Sequence, residues 1–218
     1  MRQVTPNVSW HRRIATEVAA ALLVAAVFAL FTRAFLVQAY RIPSESMEPT
    51  LLVGDHLLIN KFIFGAGAGR WGPLVPQREV RRGDLVTFQG MEDPSQELLK
   101  RCVATAGDEV EIDAKRLRLG GAAVDESAYV VHSDELVYPR SDFLHETVWR
   151  RDSFGPERVP ERSLFCLGDN RDISRDSRFF GSVGADLVRG RPLLVYWSRD
   201  REAGPWRFRW RRTLHVPR

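Results

Sequence analysis

Hydrophobic positions divide the chain into an unbroken apolar run followed by many short alternating ones. From Ile14 to Val37 the residues are mostly Ala, Leu, Val and Phe, and Glu17 and Arg33 are the only charges. A helix over 14–37 spans roughly 36 Å, enough for a hydrocarbon core of about 30 Å. Both charges lie towards its ends, where long side chains reach the interface. Arg2, Arg12 and Arg13 precede the run with no acidic residue before Glu17. This pattern predicts a cytoplasmic segment over 1–13, a single transmembrane anchor over 14–37 and a translocated remainder. A cleaved signal peptide is the alternative, because Val37-Gln38-Ala39 has the small-x-small form. The apolar run nevertheless exceeds the usual signal core of about 7–15 residues.

Beyond the anchor the period shortens. Leu51-Leu52-Val53 and His56 to Ile59 read as two strands around Gly54-Asp55. Leu85 to Phe88 follows Arg82-Gly83-Asp84, and Glu97 to Thr105 follows a loop over Met91 to Gln96. Glu109 to Ile112, the strictly alternating Arg116 to Leu119, Leu164 to Leu167 and Pro192 to Trp197 complete the set. Gly65 to Gly72 reads as a loop, and 126–161 is polar and irregular. Many short strands with Gly turns predict a mainly β domain, with 38–105 and 162–218 as its body and 106–161 as an inserted β subdomain.

The net charge of +4 is mild. Much of it sits in Trp206-Arg207-Phe208-Arg209-Trp210-Arg211-Arg212, a pattern that suits a lipid interface and equally an edge strand. Nucleic acid is not an expected partner, because no recognition motif accompanies the basic residues. Cys102 and Cys166 each lie in an apolar strand and read as unpaired core thiols, although an oxidising compartment would permit a bridge.

Candidate chemistry begins at Pro43-Ser44-Glu45-Ser46-Met47-Glu48-Pro49-Thr50. A serine hydroxyl needs a base to become a useful nucleophile. The five histidines are scattered, and Gly181-Ser182-Val183-Gly184 only approximates a nucleophile elbow. Lysine is the remaining common base. Lys100 lies between Leu98-Leu99 and Cys102-Val103-Ala104, and Lys61 and Lys115 are the only other lysines. Burial can lower a lysine pKa from about 10.4 by up to 3–5 units, whereas arginine cannot lose its proton. Taken alone, Pro-Ser-x-Ser is a plain turn and an isolated lysine a solvated side chain. Asp172-x-Ser174-x-Asp176 resembles the start of a calcium loop, but Ser177 and Val183 stand where that loop needs Gly and Glu. His145-Glu146 lacks the second histidine of a zinc-protease helix, so neither metal nor cofactor is expected.

Five segments occur in order: Pro43 to Leu51, Arg82-Gly83-Asp84, Lys100-Arg101-x-Val103, Gly107-Asp108 and Gly168-Asp169-Asn170-Arg171-Asp172-x-Ser174-x-Asp176-Ser177-Arg178. Together they resemble bacterial type I signal peptidase (leader peptidase), a family of Ser-Lys serine endopeptidases. The resemblance covers the anchor and most of the chain from Arg41 to Ser198. It implies a single-pass protein of the cell (inner) membrane with its catalytic domain on the extracytoplasmic face. Its partners would be the signal peptides of exported preproteins, membrane lipids and the secretion translocon.

By resemblance Ser46 is the nucleophile and Lys100 the general base. Ser44 joins the Ser46 backbone N–H in the oxyanion hole, and Ser174 orients the amine. Asp176 and Arg178 form a structural ion pair, and Arg101, which follows the base, and Asp169 are further supports of the site. Tyr40, Ile42, Met47 and Leu99 line shallow pockets for small residues at −1 and −3. The family often has Gly where Glu45 stands, and its Val-Gly-x-Pro-Gly-Asp appears as Val103-Ala104-Thr105-Ala106-Gly107-Asp108. Alternatives are a dedicated pilus or conjugation peptidase and an inactive anchored module that only binds peptides.

Overall fold

Residues 8–31, 37–64, 77–200 and 207–218 are described by the structure, a computed structural model. They fall into two units, 1–37 and 38–218. In the first, α1 covers Val8–Phe31. Its Ala and Leu favour helix, and neither Gly nor Pro interrupts it. The helix starts ahead of the apolar run and so takes in Arg12 and Arg13 as well as Glu17 of the run itself. Among the described residues no helix is long and apolar enough to cross a membrane. Of the expected span over 14–37, residues 32–36 lie outside the described residues, and Val37 begins a strand. The Gly65 to Gly72 loop and Trp206 also lie outside them.

The second unit is mainly β. Its larger sheet has seven strands: β1 (Val37–Arg41), β2 (Asp55–Asn60), β3 (Leu85–Gln89), β4 (Glu97–Thr105), β9 (Ser163–Leu167), β10 (Val183–Gly184) and β11 (Val188–Ser198). Their order is β1-β2-β11-β3-β4-β9-β10. The long strand β11 pairs with β3 through Val188 and Gly190, then with β2 from Arg191 to Ser198. A segment late in the chain thus lies between two early ones. The smaller sheet comprises β5 (Glu109–Asp113), β6 (Arg116–Leu119), β7 (Ala122–Ala123) and β8 (Phe154–Arg158), in the order β7-β6-β5-β8. Short helices α2 (Glu146–Trp149) and α3 (Ser177–Phe180) complete the elements used below.

Three buried clusters meet along β4. Leu99 joins Ile42, Met47, Leu51, Leu57, Ile59, Leu85 and Val195. Cys102 joins Val86, Phe88, Leu164, Cys166, Val183 and Val188. Val103 and Ala104 join Val110, Ile112, Leu117, Phe154 and Phe165. A register shift between Cys102 and Ala104 allows one strand to serve both the second and third clusters. Fully burying a side chain such as Leu99 stabilises by about 1.5–3 kcal/mol, and Cys102 enters a different cluster, so β4 is held from both faces.

Two local expectations change. Leu51-Leu52-Val53 is not a strand. Leu51 N–H bonds back to the Met47 carbonyl at 2.9 Å, and Asp55 Oδ2 accepts from Leu52 N–H at 2.9 Å. The apolar run curls through turns and still buries Leu51 completely. The described part of the Trp206 to Arg212 segment is not an edge strand either. It forms a bridge at Phe208 and a single turn over Trp210–Arg212. Arg212 forks onto the buried Asp55 carboxylate, and Arg209 donates to the Val53 carbonyl. Its arginines therefore partly face inward, which charge counting along the sequence cannot reveal.

Candidate active site

Ser46 sits in a single 3-10 turn, Glu45–Met47, entered from extended backbone at Ser44. The approach is pinned to β2: Ile42 N–H donates to the Asp55 carbonyl at 2.9 Å, and Gly54 N–H returns to the Ile42 carbonyl at 3.1 Å. The Ser46 carbonyl accepts from Asn170 N–H at 3.2 Å. Lys100 projects from β4, where its backbone pairs with Val86. Its side chain is buried, and Nζ donates to Ser46 Oγ at 2.7 Å. Burial is the main cause lowering its pKa to about 8, and the Arg178 charge adds to it. Asp176, Asp169 and Cys166 pull the other way. About one molecule in ten then carries a neutral amine at pH 7, against fewer than one in a thousand for a free lysine.

Ser44 makes no capping bond to the turn that follows it. Its Oγ instead lies 3.4 Å from Ser46 Oγ, beside the nucleophile. The Ser174 hydroxyl is buried and, among the described residues, has no hydrogen-bond partner. Gly168 explains how it fits. A Cβ at residue 168 would come within 2.2 Å of Ser174 Oγ and 2.5 Å of the Ser46 carbonyl oxygen. The absence of that side chain lets the Ser174 loop and the nucleophile turn close on each other. Gly168 was visible in the motif, but its role required the third dimension.

Two buried forks frame the dyad. Asp176 and Arg178 pair at 2.8 Å through both carboxylate oxygens, and Asp176 also accepts from Gly168 N–H and from Arg178 N–H at the start of α3. Arg178 donates further to the carbonyls of Arg171 and Ser174. Arg101 forks onto Asp169 at 2.7 Å and stacks 4.0 Å from the Tyr129 ring centre. Thr50 donates to the same Asp169 carboxylate at 2.6 Å. A third fork, Arg171 onto Glu126, was not foreseen, nor were Thr50 and Tyr129. The Arg171–Glu126 and Thr50–Asp169 contacts span 45 and 119 residues of the chain, so no local spacing signals them.

A 490 Å³ cavity beside Ser46 is lined by Tyr40, Ile42, Met47 and Leu99 among others, and so brings the expected pocket residues together. One wall is an open strand edge. β3 pairs with β4 from Glu97 to Arg101, whereas β9 joins the opposite edge only from Arg101 onward. The edge at Glu97 to Lys100 faces β1 across a gap. Among the described residues two side chains bridge it: Tyr40 donates to the Glu97 carbonyl at 2.7 Å, and Gln38 to the Glu97 carboxylate at 2.8 Å. Burial and the Glu97 charge push the Tyr40 phenol up to about 12, so it remains a donor at neutral pH.

Residues 15–197 match the sequence profile of a family described as signal peptidase, peptidase S26. Signal peptidase I of Aquifex aeolicus is 29% identical, over 78% of this chain and 79% of that protein. Signal peptidase I of Pseudomonas fluorescens is 32% identical, over 78% and 68%. Signal peptidase I of Leptolyngbya laminosa is 31% identical, over 82% and 79%. The buried serine–lysine contact and a profile match that runs from α1 into β11 lead to one assignment: the chain belongs to the signal peptidase family, peptidase S26.

Proposed function

We propose that this chain is a serine endopeptidase that removes signal peptides from exported preproteins, with Ser46 as nucleophile and Lys100 as general base. One observation carries the reading: a buried amine of lowered pKa lies 2.7 Å from an otherwise inert hydroxyl. Neutral Lys100 takes the Ser46 proton as Oγ attacks the scissile carbonyl. The oxyanion is met by the Ser46 N–H and the Ser44 hydroxyl, donors that typically contribute about 10²–10³ in rate each. The protonated amine gives its proton to the leaving amine, and the mature protein departs. Lys100, neutral again, activates a water that releases the signal peptide from the acyl-enzyme.

The substrate enters as an extended strand in the gap between β1 and β4. An extended peptide alternates its side chains, so residues −1 and −3 point to one side. The cavity of Tyr40, Ile42, Met47 and Leu99 beside Ser46 receives these two side chains, and the small residues there follow from the family resemblance. The unpartnered Ser174 hydroxyl orients the amine once Ser46 is acylated and no longer bonds to it. Both buried forks act as structural supports. Residues 38–105 and 162–218 form the catalytic body, and 106–161 is peripheral to the chemistry.

We assign α1 and the residues after it to a single membrane anchor with a cytoplasmic N-terminus. Leu22, Leu23, Val24, Val27 and Phe28 of α1 are exposed, an unfavourable arrangement in water and a favourable one in lipid. The ring cluster of Trp197, Phe208 and Trp210, with Trp210 and Leu214 largely exposed, supports lipid contact by the catalytic unit as well. The enzyme then meets preproteins delivered by the secretion translocon.

The test is cleavage of a preprotein by the full chain in detergent. Wild type should cut after the signal peptide, and Ser46→Ala and Lys100→Ala should each lose cleavage. Full activity in either variant would refute the assignment of that residue.

A further inference from the structure

Cys102 on β4 and Cys166 on β9 take no part in the chemistry above, and both are fully buried. They face each other directly in the antiparallel ladder. Cys102 N–H donates to the Asp84 carbonyl at 2.8 Å, and its own carbonyl accepts from Gly83 N–H at 2.7 Å; both bonds run towards β3. Cys166 N–H donates to Ser177 Oγ at 3.0 Å, away from β4. Neither residue uses its backbone amide on the other. They therefore form a non-hydrogen-bonded pair, the position at which facing Cα atoms approach to about 4.5 Å and side chains come closest. A disulfide needs Cα atoms about 4.4–6.8 Å apart. Both side chains enter one apolar cluster with Val86, Phe88, Leu164, Val183 and Val188. A hydrogen bond to Cys102, together with burial, keeps the Cys166 thiol protonated well above its ordinary range.

We propose that Cys102 and Cys166 are a covalent cross-link site, which a thiol–disulfide oxidant converts to a disulfide tying β4 to β9. Two S–H bonds break and one S–S bond forms. Two protons and two electrons pass to the acceptor disulfide, which leaves as two thiols. Because the native pair is buried, the exchange takes place before β4 and β9 close, while the chain is folding. The link encloses the whole 106–161 segment in one covalent loop, which restricts the unfolded chain. It also joins the strand that carries Lys100 and Arg101 to the strand that leads into Gly168 and Asp169.

The full chain is refolded in detergent in two buffers, a mixture of oxidised and reduced glutathione or dithiothreitol alone. Cell-free synthesis in the same two buffers is a parallel arm that needs no refolding. Each product is denatured, alkylated with iodoacetamide and mapped by mass spectrometry. The glutathione product should carry no alkylated cysteine and should yield a Cys102–Cys166 peptide that separates on reduction. Its Tm should exceed that of the dithiothreitol product by roughly 5–15 °C. The double variant Cys102→Ala, Cys166→Ala should show one Tm in both buffers. Two alkylated cysteines after oxidative folding would overturn the proposal, as would stable glutathione adducts at either position or a cross-link without a gain in Tm.

Discussion

At the scale of single residues, the chemistry depends on the charge of one amine. Lys100 serves as a base only when neutral, and its pKa is lowered to about 8 chiefly by burial. The logarithm of kcat/KM should therefore rise with pH at a slope near one and level off above about pH 8. A flat profile from pH 6 to 9 would contradict a lysine base. Gly168 gives a second prediction. Gly168→Ala places a methyl within 2.2 Å of Ser174 Oγ and 2.5 Å of the Ser46 carbonyl oxygen, so one of them must move. A displacement near 1 Å costs about 10² in rate, while overpacking costs about 1–3 kcal/mol in stability. A folded but nearly inactive variant is expected from kinetics and thermal melts. Ser174→Ala separates orientation from support: its hydroxyl has no partner to lose, so Tm should change little while kcat falls. An unchanged kcat would end the orienting role. The serines and the lysine were legible because family motifs mark them. That Ser46 and Lys100, 54 residues apart, meet was implied only by the resemblance, and the 2.7 Å contact itself comes from the tertiary structure.

At the scale of elements, the Glu45–Met47 turn, β4 and the loop after β9 carry the site between them. Asp176, fully buried, starts α3, accepts from Gly168 and forks with Arg178. Burial alone would raise its pKa, but the Arg178 charge and hydrogen bonds, with Lys100, outweigh that and hold it low. A carboxylate depressed in the folded state contributes stability that is complete above its unfolded pKa near 3.9 and is lost as pH falls through the folded value. Asp176→Asn leaves Arg178 buried without its countercharge, so a loss of about 3–5 kcal/mol at neutral pH is expected. Its melting temperature should also fall less steeply with acid than that of wild type, and parallel acid slopes would refute this source. Glu97 to Thr105 was readable as a strand because Leu98-Leu99 and Cys102-Val103-Ala104 flank Lys100-Arg101 with no Gly or Pro to break it, as suits a strand buried on both faces. Phe154–Arg158 was not, because Gly155 and Pro156 are poor strand formers and its pairing with β5 is decided elsewhere in the chain. Leu51 to Val53 misled in the opposite sense, since an apolar run buries equally well in a turn that Asp55 caps.

At the scale of the whole molecule, polar contacts tie the catalytic loop to the segment between the strands. Arg171 forks onto Glu126, and Asp172 accepts from Lys115 Nζ and Asp134 N–H. Removing Glu126 as Glu126→Gln should therefore lower activity without touching the dyad, through loss of order around Arg171, and the loss should be several-fold in kcat rather than KM. The anchor assignment predicts that the full chain resists extraction from membranes by alkaline carbonate and retains α1 in its mature mass; a mature N-terminus at Tyr40 would show instead that α1 is removed. The sequence alone determined the class of chemistry, the mainly β character and the positions of most strands, because hydrophobic period and motif residues are local quantities. The tertiary structure alone decided that β11 lies between β2 and β3, that a free edge of β4 faces β1, and that distant carboxylates and arginines close into buried forks. Those features depend on which segments meet. Meeting is settled by the burial of apolar surface shared across the chain and by the pairing of charges that burial has stripped of water.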